Sequence, residues 1–342
     1  MSSPTSAAIN ILVINVTRIG DTLLTTPSLR AIAAANPGAR LTFLGHPKRV
    51  EVMRHLPYVS KVASITKFWA PFLGHLSGKR YDLAFVFGFD EPLVAYALRV
   101  AERVVAFRQK DDALNRCLYR IAEACDPMPL HAVDYLLQLP EAAGFSPDGR
   151  QLDYVVTPEE AQWAHEELAR TLPTPCQGLI GLQVASFPTR AYRDWPLEHF
   201  IDLTGRIRSA WPNAHFLIFG GSEERVRTEQ LAKHLGSAAT LYAGQLTLRQ
   251  TGALMNEIDL YIGVDTGPTH LMGALHRPMI ALYHSKAPSR RLRPLDHPSA
   301  YIIDHPTPES EATADTKMAD ISVECVWRSV DQALAEHPPA VR

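Results

Sequence analysis

The chain has 342 residues, 46% of them hydrophobic and 20% charged, with a formal net charge of −2. That length suits one large or two medium domains, the composition excludes a disordered chain, and the balanced charge argues against general nucleic-acid binding. The four cysteines, Cys117, Cys125, Cys176 and Cys325, are scattered and form no C-x-x-C pair, so they read as reduced thiols rather than a disulfide framework or a zinc site. The N-terminus has no basic n-region, and its apolar run is too short to span a bilayer.

In chain order, an apolar run at 9–16, "INILVINV", reads as a buried strand. It meets Gly20-Asp21 just before a helix-like pattern at 22–35. A carboxylate at that bend either caps the helix or faces a cleft as a base. Further strands are expected at 40–46, 81–88 and 102–107, with helices at 48–56, 91–101 and 131–143. Strands alternating with helices predict a doubly wound α/β sheet. A Pro- and Thr-rich stretch, 171–178, reads as a linker. A second series follows, with strands at 178–185, 214–221, 239–244, 259–264 and 278–284 and helices at 196–212, 222–235, 247–256 and 267–275. The acidic stretch 304–315 reads as a surface loop, and a helix over 322–336 ends the chain.

Ligands of open α/β sheets sit beyond the carboxyl ends of the strands, so the chemistry is sought in the strand-to-helix loops. The loop after 259–264 reads "GVDTGPTHL". Asp265 and Thr266 can cap a helix beginning near Gly267. That helix start also offers free N–H groups to a phosphate, with Thr266 and His270 as added donors. The loop after 178–185 carries Arg190 and Arg193, which are either a solvated pair or a clamp for a diphosphate. The loop after 214–221 carries Glu223 and Glu224, which either favour a helix's first turn or accept ribose hydroxyls. No G-x-x-x-x-G-K-[ST], G-x-G-x-x-G, D-x-D or H-E-x-x-H occurs, so neither a P-loop, an ordinary dinucleotide site nor metal handling of phosphates is indicated.

"ILVINVTRIGDTLLTTPSLRAI" (11–32), "HAVDYLLQL" (131–139), "RDWP" (193–196) and "GVDTGPTHLMGALHRPMIALY" (263–283) resemble the signatures of the ADP-heptose:lipopolysaccharide heptosyltransferases, glycosyltransferase family 9. The resemblance implies a GT-B fold: an acceptor-binding Rossmann-like domain at 1–172 and a nucleotide-sugar-binding one at 178–320. Residues 321–342 would form a helix crossing back onto the first domain. It implies an inverting, metal-independent transfer of heptose from ADP-L-glycero-D-manno-heptose to Kdo-lipid A or the lipopolysaccharide core, with no cofactor. Asp21 would be the general base. Arg190, Arg193, Glu223, Glu224, Asp265, Thr266, Gly267 and His270 would hold the donor. Arg18, Lys67, Arg116 and Arg120 are candidates for the acceptor's anionic groups. The family lysine before x-W-P is Arg193 here. The enzyme would be cytoplasmic, with peripheral contact on the cytoplasmic face of the inner membrane, where a basic face beside Phe68, Trp69 and Phe72 suits an anionic lipid surface. Another nucleotide sugar or glycan acceptor, an epimerase-like reaction, or a non-catalytic nucleotide-sugar binder are the alternatives.

Overall fold

The computed structural model describes residues 8–123, 130–313 and 315–342; Cys125 lies outside the described residues. The chain divides into two units, Met1–Val155 and Val156–Arg342. The first holds a six-stranded parallel sheet of β1 (Asn10–Asn15), β2 (Arg40–Gly45), β3 (Lys61–Ser64), β4 (Tyr81–Val86), β5 (Ala101–Phe107) and β6 (Arg120–Ala122), in the order β3-β2-β1-β4-β5-β6. The second holds β7 (Leu179–Gln183), β8 (His215–Phe219), β9 (Ala239–Leu241), β10 (Leu260–Val264), β11 (Met279–Tyr283) and β12 (Ala300–Asp304), in the order β12-β11-β10-β7-β8-β9. Read from its own first strand, the second sheet repeats the order of the first, and both are Rossmann-like.

The central strands are apolar because helices cover both faces of a parallel sheet. β7, β8, β10 and β11 are buried along their whole length. In each sheet the strand order reverses once, between β1 and β4 and between β7 and β10. A crevice opens at such a switch point, beyond the carboxyl ends. Register sharpens it: Gly263 lies opposite Gln183, so the loops leaving β10 and β7 start at one level. In the first sheet Ile14 lies opposite Val86.

Two expectations about domain limits need correction. Helix Pro158–Thr171, placed above in the first domain, belongs to the second unit, where it packs on helix Leu248–Glu257. Arg249 secures it through Glu160, at 2.7 Å from Nε to Oε1. The stretch 171–178 is therefore a connection inside the second unit rather than the linker between units. The last helix, Val323–Glu336, packs on helix Leu197–Ala210 and on β11 and β12. Its apolar stripe of Val323, Val326, Val330, Ala333 and Leu334 joins the second unit's core, and each larger side chain so buried contributes about 1.5–3 kcal/mol. The tail beyond it stays with the same unit: Arg342 exchanges two backbone hydrogen bonds with Cys176 and donates to Asp259 at 2.7 Å. Among the described residues no helix is long and apolar enough to cross a membrane.

His215 opens β8 and is buried, its Nε2 2.8 Å from the Thr240 hydroxyl at the neighbouring β9. Burial depresses its pKa from 6.5 to about 4. The unfolded chain therefore takes up a proton near pH 6.5 that the folded chain refuses until about pH 4, so stability is full above pH 6.5 and is lost as pH falls through that window. Urea midpoints measured from pH 7 to pH 4 should fall for the wild type and fall less steeply for His215→Gln, which keeps a partner for Thr240; equal slopes would show that His215 does not carry the effect.

Candidate active site

At the first switch point the bend after β1 is organised by Asn15, which is buried. Its amide accepts from the Thr17 hydroxyl at 2.8 Å and donates to the Asp21 carbonyl and the Thr25 hydroxyl, each at 3.4 Å. Helix Ile19–Leu23 follows, with Arg18 at its N-cap position and no side-chain cap. Asp21 thus sits inside the helix rather than in front of it. Its side chain is exposed, and no hydrogen bond to its carboxylate oxygens occurs among the described residues. The capping role weighed from sequence is therefore not the one it plays. Arg49, from the loop after β2, donates to the Thr17 carbonyl at 3.0 Å and braces the same bend.

The basic candidates differ in circumstance. Arg18 is exposed in the loop after β1. Lys67 lies in the loop after β3, 3.5 Å from Asp90 in the loop after β4. Arg116 is exposed near the end of helix Asp112–Cys117. Arg120 starts β6, where its guanidinium lies 4.4 Å from the centre of the Tyr119 ring and donates to the Tyr119 carbonyl.

At the second switch point the loops after β7 and β10 are bolted together. Arg193 Nη1 donates to Asp265 Oδ2 at 2.5 Å and to the Asp265 carbonyl at 3.3 Å. The Asp265 side chain is 1% exposed, and its other oxygen lies 3.5 Å from His270 Nε2. Asp265 therefore neither caps a helix nor offers a carboxylate to a ligand; it fixes Arg193 and His270. Thr266 holds the N-cap position of helix Gly267–Leu275, but its side chain makes no capping bond. Pro268 occupies the first turn, where a missing N–H costs nothing. Gly263 is required for a packing reason: a Cβ there would stand 2.4 Å from the Tyr261 phenol oxygen. That phenol meets the Thr269 hydroxyl at 2.9 Å, and Thr269 donates to the Val264 carbonyl.

Sequence reasoning missed Tyr192, Asp194 and His284. Tyr192's hydroxyl accepts from both Arg190 Nη1 and Arg193 Nε, each at 3.2 Å, so one phenol aligns two guanidinium groups. Burial pushes that phenol up, but the hydrogen bonds from Arg193 and Arg190 outweigh it and leave it below the usual tyrosine range. Burial likewise works against the Arg193 charge, and Asp265 and Tyr192 more than offset it. The Tyr192 ring stands edge-on to His284 at 5.0 Å. Asp194 accepts from the Ser186 N–H at 2.8 Å and the Ser186 hydroxyl at 2.7 Å, closing the loop on itself. Trp195, fully buried, donates to the Ile321 carbonyl at 2.8 Å. The only sequence signal was place: Tyr192 and Asp194 lie beside and within "RDWP", and His284 directly follows the 263–283 stretch.

Between the loops after β7 and β8 lies a cavity of about 230 Å³, lined by Ala185, Ser186, Asp194, Glu223, Glu224 and Arg227 among others. Glu224 is folded inward, accepting from the Gly221 N–H at 2.7 Å, and burial raises its pKa. Glu223 is exposed at the rim. The two carboxylates are thus divided: Glu224 closes the helix start, and Glu223 is open to a ligand. Arg193 Nη2 donates to no protein group among the described residues.

A family model described as glycosyltransferase family 9 (heptosyltransferase) matches residues 94–320. A lipopolysaccharide core heptosyltransferase OpsX of Haemophilus influenzae is 19% identical over 84% of this chain and 82% of its own length. A lipopolysaccharide heptosyltransferase 1 of Escherichia coli is 24% identical over 80% of this chain and 85% of its own. Among solved structures, a family 9 glycosyltransferase of Veillonella parvula superposes with a TM-score of 0.83 at 20% identity, covering 98% of this chain and 100% of that one. E. coli ADP-heptose heptosyltransferase II gives 0.80 at 20% identity, covering 96% and 99%. The fold is the GT-B fold of these structures.

Removing the Asp265 carboxylate would leave the Arg193 charge half-buried and unpaired. Asp265→Ala should cost about 3 kcal/mol in urea unfolding, the low end for a broken buried pair because Arg193 retains some access to water; a loss under about 1 kcal/mol would place the pair with ordinary surface ion pairs.

Proposed function

Because the chain belongs to glycosyltransferase family 9, we propose that this glycosyltransferase moves heptose from ADP-L-glycero-D-manno-heptose to the inner core of lipopolysaccharide, with Kdo-lipid A or the growing core as acceptor. The observation that carries the donor side is the pair of guanidinium groups, Arg190 and Arg193, aligned on Tyr192 at the β7–β10 switch point beside the start of helix Gly267–Leu275. A nucleoside diphosphate needs positive charge and N–H donors together, and these groups supply both. Arg193 Nη2 and the N–H groups at Thr266–Gly267 take the diphosphate, and Glu223 takes the ribose hydroxyls. The similar structures include E. coli heptosyltransferase WaaC with ADP, in keeping with an adenine nucleotide.

On the acceptor side, Asp21 is the general base. Its carboxylate is exposed and free of the cap bond that would compete for its oxygens. It takes the proton of the acceptor hydroxyl as that oxygen bonds to the anomeric carbon. The bond from the anomeric carbon to the diphosphate breaks on the opposite face, and ADP leaves with the electron pair, which inverts the configuration. Positive charge from Arg190, Arg193 and the helix start holds the leaving group without calling on a metal. The same carboxylate stabilises the oxocarbenium character that develops at the sugar.

Asp21→Asn should lower transfer by about 10²–10⁴-fold, the contribution of a positioned base, while leaving ADP affinity within about twofold; undiminished transfer would end the assignment. Thermal shifts with ADP, UDP and GDP at equal concentration should be largest for ADP, since the tighter ligand stabilises more. A clear preference for UDP or GDP would replace the donor, and consumption of the nucleotide sugar without an acceptor would replace transfer by an epimerase-like reaction.

A further inference from the structure

The loop after β11 carries a histidine that no step of the transfer uses. β11 and β12 run in register, with Tyr283 opposite Asp304, so His284 and His305 leave the sheet side by side. Their rings lie 5.6 Å apart. Each makes the same pair of bonds. His284 Nδ1 accepts from the Lys286 N–H at 3.0 Å, and His305 Nδ1 accepts from the Thr307 N–H at 3.0 Å. A ring nitrogen that accepts is unprotonated, so the proton sits on Nε2, which donates. His284 Nε2 meets the Thr316 carbonyl at 3.1 Å, and His305 Nε2 meets the Lys317 carbonyl at 2.9 Å. Two neighbouring imidazoles thus grip consecutive carbonyls of the segment after β12. Ser285 ties the same two stretches again, its hydroxyl donating to the Thr307 carbonyl at 2.8 Å.

Both nitrogens of His284 are therefore spent on backbone, and the residue is 1% exposed. Its ring has one orientation, and Tyr192 stands against it at 5.0 Å and nearly perpendicular. Tyr192 needs such a wall. It lies half-buried in the turn Pro188–Arg193, none of whose residues is buried, so core packing does not fix its ring. Swinging that ring would carry its hydroxyl away from Arg190 and Arg193, which both donate to it. Burial holds His284 below the ordinary histidine pKa, against the pull of the Thr316 carbonyl, so the wall sets no added charge against the arginines at neutral pH. We propose that His284 is a positioning residue for the nucleotide sugar: clamped to the segment after β12, its ring fixes Tyr192 and, through that phenol, the planes of Arg190 and Arg193. Its effect on the donor rests on the reading of those two arginines as the diphosphate clamp.

The test is a double-mutant cycle on the full chain, read by the dissociation constant of ADP. His284→Asn keeps an acceptor for the Lys286 N–H, since an asparagine oxygen closes the same turn, but removes the ring beside Tyr192. It should weaken ADP binding about two- to tenfold, the free energy of one aromatic pair expressed as affinity. In a Tyr192→Leu background the same change should leave ADP affinity nearly unmoved, because residues that act through one another are not additive. Should the asparagine variant fold poorly, His284→Gln, whose amide can reach the Thr316 carbonyl, removes the ring with the same expected result. A second readout needs no nucleotide. The Arg193 Nε–H, bonded to the Tyr192 oxygen, should give a slowly exchanging guanidinium NMR signal, assigned by its absence in Arg193→Lys, that broadens in His284→Asn. Unchanged ADP affinity in the His284 variants, equal weakening with and without Tyr192, or an unaltered Arg193 signal would overturn the proposal; equal weakening would mark His284 as a structural support of its loop alone. A wild type that prefers UDP or GDP would overturn the donor and not the role of His284, which the same cycle then decides with that diphosphate.

Discussion

The second unit's site depends on one buried carboxylate. Asp265 lies where β10 ends, its side chain 1% exposed. A charge so placed is costly unless it is paired and hydrogen-bonded. Arg193 answers it from the loop after β7, and His270 lies on its other side. That requirement fixes where Arg193 stands, and the rest follows. Tyr192 is drawn against both arginines. Asp194 closes the loop onto Ser186, and Trp195 ties the loop's end to Ile321 ahead of the last helix. A loop of thirteen residues between β7 and helix Leu197–Ala210 would otherwise have little reason to adopt one shape, because few of its residues are apolar and buried.

The two sheets share one strand order yet present opposite chemistry at their switch points. At the first, a buried asparagine satisfies the backbone of the bend, so the Asp21 carboxylate is left without a structural duty. At the second, an acid is consumed internally so that arginine can be held in place. Both arrangements rest on the same physical fact: loops at the carboxyl ends of parallel strands are the part of this fold where polar groups can be changed without disturbing the core. A free acid suits proton removal, and fixed cations suit a leaving diphosphate.

Much of this was legible in the sequence. The long apolar strands and the helices from Glu91, Leu197, Gly267 and Val323 were read within a few residues, because burial on both faces leaves continuous apolar runs and single-sided burial leaves a helical stripe. The strands not read were β3, β6 and β12, short edge strands with exposed or half-buried residues such as "KVAS" and "RIA". Edge strands are short and polar by necessity, so their pattern resembles loop. The helix expected at 22–35 is broken after Leu23, which puts Asp21 in a separate five-residue turn. The domain limit was misread because Pro and Thr at 171–178 mimic a linker, while helix Pro158–Thr171 shows its allegiance through long-range partners such as Glu160 with Arg249, His165 with Glu257 and Glu167 with Tyr242. Candidate site residues could be picked out where they fall in named motifs; the contacts of Tyr192 and Asn15 could not, since they depend on partners that chain order does not announce.

An arginine at 193, where the resemblance implies a lysine, is intelligible from donor geometry. A lysine ammonium is a point charge with three donors, whereas guanidinium has five in a fixed plane. Arg193 spends Nη1 on Asp265 and Nε on Tyr192, and its Nη2 remains uncommitted among the described residues. One side chain can therefore satisfy the buried acid, align a neighbouring phenol and still direct N–H groups outward. Lysine in the same place could answer Asp265, but its three donors radiate from a single atom, so Asp265, Tyr192 and any further acceptor would all have to gather around that one nitrogen. The phenol and the arginine thus form a matched pair. Tyr192 needs a planar partner to be held, and Arg193 needs a second acceptor to fix its plane, so that the remaining edge of the guanidinium keeps one direction.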